Sequence, residues 1–144
     1  MENDFNLSRT KVHENAMICL YQHFVYASLH NLYRKTLPEI VFDVMEESFD
    51  DCDSFFKSIL FEAIRQKQEF INLISTYLTS TWKFERLSYI EQAILVLFSS
   101  EIVNKQVEKH VAIDVAVDLA KRYCDDGSYK FINAVLDKIG KEYE

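Results

Sequence analysis

The chain has 144 residues, 49% of them apolar, with 2 glycines, 1 proline and a formal net charge of −7. That length suits one domain around one core, and so few turn residues exclude hairpin-rich, sandwich and dinucleotide-binding architectures in favour of an all-α bundle. The acidic balance excludes a nonspecific nucleic-acid coat but leaves room for a small basic site, because phosphate contact is local.

From about Leu7 to Leu32 the pattern is helical, with Val12, Ala16, Cys19, Leu20, Phe24 and Ala27 recurring at three and four. Pro38 sits where a second helix can start, with Ile40, Val44, Met45 and Phe49 behind it. Glu39 to Phe56 holds seven acidic residues and no basic one; this is expected to be a solvated face that RNA avoids. One continuous helix is expected from Ser54 to Leu78, its stripe running from Phe55 and Phe56 through Ile59, Leu60, Ala63 and Ile64 to Phe70, Ile71, Ile74 and Leu78. The connector "TSTWKFER" follows, with Trp82 expected in the core. "SYIE" then reads as a capping box in which Ser88 caps the next helix and Glu91 reaches back. Ile90, Ile94, Leu97 and Phe98 form the core face of that helix. After the polar break "NKQVEKH", a helix spans about Val111 to Tyr123, and Lys121 and Arg122 suit the negative end of its dipole. The chain reads as six or seven helices in a single domain over residues 1–144, with no repeat, linker or low-complexity tract.

The last segment, "DGSYKFINAVLDKI", is chemically distinct. Asp126-Gly127 makes a tight turn in which Gly127 takes positive φ without steric cost, and Ser128 is a natural N-cap. Ile132, Val135 and Ile139 share one face, Phe131 and Leu136 lie at its margins, Tyr129 sits near the rim and Lys130 points away. The first turn thus offers backbone N–H groups, a cation and two rings, a set suited to phosphate and unpaired bases. The structural alternative is a cap, a rim residue, a solvated lysine and a core phenylalanine.

Other chemistry finds little support. Cys19, Cys52 and Cys124 form no CxxC pair and read as reduced thiols packed as small hydrophobes. Cys124, at a helix C-terminus, is a poor nucleophile. His13, His23, His30 and His110 have no carboxylate or cysteine completing a metal spacing. No glycine-rich phosphate loop exists. No cofactor, metal or catalytic residue is implied. With no secretory n- and h-region and no apolar run of membrane-spanning length, the expected location is the cytoplasm, away from membranes.

The C-terminal half resembles a known family. "W82-x3-R86-L87-x3-E91-x-A93-I94-L95" with Glu101, then "V111-A112-I113-D114-x-A116-V117-D118-L119-A120-K121", then "S128-Y129-K130-F131-I132-N133-A134-V135-L136-D137-K138-I139" is similar to the NusB family of bacterial transcription antitermination factors. Arg9, Ala16, Leu20 and Tyr21 fit that family's first helix more loosely. The chain looks like the stand-alone factor rather than the larger RNA methyltransferases with a similar N-terminal domain.

The resemblance implies an all-α fold of two small sub-bundles and no catalysis. It implies binding to the single-stranded boxA element of ribosomal transcripts together with a small-subunit ribosomal protein (NusE), the complex joining the RNA polymerase elongation complex. It implies RNA contacts at Arg9, Lys11, His13 and Arg86 and along Gly127, Ser128, Tyr129, Lys130 and Phe131, and a partner interface at Tyr21 and Glu91. Arg86 either contacts RNA or braces the loop beside Trp82. Thr10, His13 and Val96 stand where the family pattern has arginine, so several cations are missing from the expected RNA face, which suggests weaker intrinsic RNA affinity and greater reliance on the protein partner. Asp114, Val115 and Ala134 also depart from the family pattern. The competing reading is a helical adaptor that has lost RNA binding. Monomer and homodimer both remain open.

Overall fold

The computed structural model describes residues 2–29, 34–79 and 81–144, with side chains from residue 10 onward; His30 lies outside that set. Among the described residues there are seven α-helices: α1 Glu2–Ser28, α2 Leu37–Met45, α3 Ser54–Arg65, α4 Lys67–Tyr77, α5 Tyr89–Val103, α6 Lys109–Tyr123 and α7 Ser128–Glu142. Short 3₁₀ turns occupy Phe49–Asp51 and Phe84–Arg86. Phe49 therefore lies beyond α2 rather than on it.

The start signals are chemical. Thr36 caps α2 and Glu39 returns its carboxylate to the Thr36 N–H, a capping box with Pro38 in the first turn. The expected box at α5 is present, with Ser88 N–H donating to Glu91 Oε1 at 2.9 Å and Glu91 N–H to Ser88 Oγ at 3.1 Å. Asp53 caps α3 by accepting from the Phe56 N–H.

Two elements differ from the sequence expectation. The stretch from 54 to 78 is two helices, broken at Gln66, whose φ −108° and ψ 23° leave the helical region. Its side-chain amide oxygen accepts from Asn104 Nδ2 at 3.2 Å, so a residue at the end of α5 helps to set the bend. The apolar stripe stays nearly in phase across the break, which hides it from a periodicity count. Helix α5 is also not one-faced, since every residue from Gln92 to Ile102 is buried. A helix buried on every side belongs at the centre of a fold, and α5, which also buries Gln92, Ser99, Ser100 and Glu101, packs against α1, α3, α4, α6 and α7. Helices α1–α3 form one group and α4, α6 and α7 another, with α5 in contact with members of both.

Both glycines have reasons. Gly127 sits at φ +90°, in the left-handed region. Gly140 is buried, and a Cβ there would run into the Lys109 side chain where α6 starts beside α7. All seven acidic residues between Glu39 and Asp53 are exposed, as expected of a solvated face.

Candidate nucleic-acid interface

The α6–α7 turn is built by Gly127. It is the residue preceding α7, and it makes no side-chain cap. Ser128 is therefore not the N-cap expected from sequence. It is the first helical residue, 9% exposed, its N–H donating to Asp125 O at 3.1 Å. Lys130 N–H is likewise engaged, with Gly127 O at 3.0 Å. The first turn thus offers side chains more than vacant N–H groups. Tyr129 and Phe131 are half-buried and Lys130 is exposed.

Lys121, on the last turn of α6, holds its ammonium 4.7 Å from the Tyr129 ring centroid, a cation–π contact. Lys121, Tyr129 and Lys130 line two adjoining shallow depressions of about 540 and 400 Å³, one along the α6–α7 groove with Asn133, the other over the turn. Sequence reasoning gave Lys121 only a helix-dipole role. Its four-residue lead over Asp125-Asp126-Gly127, which folds it back beside Tyr129, was the available signal.

Lys11 reaches the same end of the molecule through Glu14. The Glu14 carboxylate, 5% exposed, accepts from Lys11 Nζ at 3.1 Å, from Tyr123 OH at 2.7 Å and from Arg122 Nη2. The Tyr123 hydrogen bond, outweighing the opposing cost of burial and helped by Lys11 and Arg122, lowers the Glu14 pKa below the ordinary carboxylate value. The middle of α1 and the end of α6 are thereby joined, with Lys11 and Arg122 on the two oxygens of one carboxylate. Arg9 has its backbone in α1, while its side chain lies outside the described residues.

His13 does not belong to this surface. It is 1% exposed, its Nε2 lies 3.0 Å from Glu101 Oε2, and its ring stacks on Phe98 and meets Phe55 edge-on. Position 13 is three residues before Ala16 on the core face of α1, so the helical period turns it inward. Val96 is wholly buried too. Neither position leaves a cation missing from the exposed face, which removes two of the grounds for expecting weak RNA affinity.

Trp82 is 54% exposed, contrary to the core assignment. Its loop is anchored instead by buried Phe84 and Leu87, whose carbonyls both accept from the buried Gln92 Nε2 at 3.1 Å. Trp82 stacks on Phe131 with centroids 5.7 Å apart and an interplanar angle of 25°. Arg86 is exposed at the end of the same loop.

Tyr21 is half-buried against the core, and Glu91 is half-buried with one oxygen held by Ser88. Burial, and after it the Glu91 carboxylate, pushes the Cys124 thiol up to about 11. The other two cysteines are buried free thiols. No group of three or more metal-ligating side chains occurs among the described residues. None of the helices is long and apolar enough to cross a membrane.

A family model described as the NusB family matches residues 10–141. The transcription antitermination protein NusB of Macrococcus caseolyticus is 31% identical over 135 residues, covering 94% of this chain and 98% of that protein. A structure of T. maritima NusB superposes with a TM-score of 0.79 at 26% identity, covering 94% of this chain and 92% of that one. A crystal structure of the antitermination factors NusB and NusE in complex with dsRNA matches with a TM-score of 0.76 at 25% identity, covering 94% and 97%.

Proposed function

The chain belongs to the NusB family, and on that premise we propose that it is a non-catalytic transcription antitermination factor. It binds boxA-type single-stranded RNA together with the ribosomal protein NusE and acts on the elongating polymerase in the cytoplasm. One observation carries the RNA half of this reading: Lys121, Tyr129 and Lys130 share one groove beside the α6–α7 turn, with the Lys121 ammonium held over the Tyr129 ring. Cations with interleaved rings are what a single strand needs, the cations for phosphates and the rings for bases. The NusE half rests on the NusB–NusE structure similar to this chain, with Tyr21 and Glu91 as the proposed contacts.

The test is binding of a short boxA-type RNA, with and without NusE, across a salt series. Tight binding that NusE strengthens and salt weakens is expected. Lys130→Ala should weaken it and reduce the salt slope by about 0.7, the contribution of one phosphate contact on a single strand. NusE binding with no RNA binding at any salt would favour the adaptor reading, for which the net charge of −7 is the supporting observation.

A further inference from the structure

Trp82 is the only tryptophan in the chain, and more than half of its surface faces water. Leaving so large an apolar ring outside forgoes stabilisation that burial would give. The loop does not need it as an anchor, because Phe84 and Leu87 already fill that role and Gln92 ties down their carbonyls. What Trp82 does contact is Phe131, in a near-parallel stack at the start of α7. Phe131 is half-buried and packed against the core while Trp82 is exposed, so the pair is a two-ring step from the protein to solvent.

Exposed cations flank both rings in the sequence. Lys83 and Arg86 are exposed on the Trp82 loop, Lys130 is exposed beside Phe131, and Glu85 is the loop's one acid. The geometry points to Trp82 as the outer ring of a base-stacking platform, on which an unpaired base of single-stranded RNA continues the Phe131–Trp82 stack while neighbouring cations meet the flanking phosphates. This rests on the RNA-binding reading above and adds a residue to it from a loop remote in sequence from α7. A protein partner would also cover an exposed tryptophan. The flat ring-on-ring geometry and the exposed cations that flank the two rings in sequence favour a nucleic acid.

The experiment titrates the full chain with a short single-stranded boxA-type RNA, with NusE, and with both, following tryptophan emission and affinity. Trp82 emission is expected to be quenched on RNA binding. Trp82→Leu keeps an apolar cover over Phe131 but has no π face; it should weaken RNA binding roughly 5- to 100-fold while leaving the salt slope unchanged. Trp82→Phe should retain most of the affinity, and melting curves of both variants report whether the fold is kept. RNA binding with unchanged emission and a Leu variant that binds like the parent would overturn the platform while leaving the RNA-binding reading intact. Emission that responds to NusE alone, with no further change on adding RNA, would assign the ring to the protein partner and also overturn it. Absence of RNA binding by the unaltered chain in every arm would remove both readings.

Discussion

Glu14 holds Lys11, Arg122 and Tyr123 on a single buried carboxylate. Glu14→Ala should cost about 0.5–1.5 kcal/mol, because it removes the hydrogen bond from the Tyr123 hydroxyl while the exposed Arg122 keeps Asp118 at 3.6 Å, and circular dichroism melts would measure the loss. Its lowered pKa means that its share of stability is full above the ordinary carboxylate pKa and is lost as the pH falls below it. His13 is the residue where family analogy and structure part. His13→Ala should cost about 1–3 kcal/mol by removing a buried hydrogen-bond partner of Glu101. The salt slope of RNA binding should not change, since a buried ring touches no phosphate. His23 supplies a separate pH dependence. Burial, and then the Lys67 ammonium that donates to its Nε2 at 3.2 Å, holds its pKa down to about 4. The unfolded chain therefore binds more protons between about pH 6.5 and 4, so stability falls as the pH drops through that window. Denaturant midpoints at steps from pH 7 to 4 should show a shallower decline in His23→Gln than in the parent.

Among the helices, starts were written in the sequence more clearly than interruptions. The capping box at Ser88–Glu91 needs only residues three apart, and the one at Thr36–Glu39 carries the same signature, legible but not recognised among the acidic residues that follow it. Thr36→Ala and Ser88→Ala should each cost about 1 kcal/mol in chemical unfolding. Gly127→Ala should cost about 1–2 kcal/mol, because a Cβ at φ +90° is strained although nothing crowds it. If RNA binding falls further than this stability loss explains, the turn geometry itself presents Tyr129 and Lys130. The break at Gln66 had no proline or glycine to announce it. Its side chain pairs with Asn104, 38 residues away, a partner that no local pattern encodes.

Across the whole molecule, charge and core are separately arranged. The exposed acids of residues 39–53 lie on and after α2, which packs on α1, while Lys121 and Lys130 lie on α6 and α7, which pack on each other and on α5. The two lysines sit there among Asp114, Asp118, Asp125 and Asp126, so the groove is of mixed charge rather than purely acidic. With α5 common to both helical groups, unfolding should be one cooperative event. Far-UV circular dichroism and Trp82 emission should share one denaturant midpoint, whereas two separated transitions would show that the groups fold as independent units. Composition and periodicity were enough to establish an all-α chain, the helix-rich order of its elements, the solvated acidic stretch and the chemical character of Ser128 to Phe131, because these follow from residue type and local spacing. They did not reveal that α5 is enclosed on every side, that His13 points inward, that Trp82 stays out on Phe131, or that Lys121 and Arg122 join the candidate interface. Each of those depends on which helix lies against which, and that is fixed by packing between residues distant in sequence.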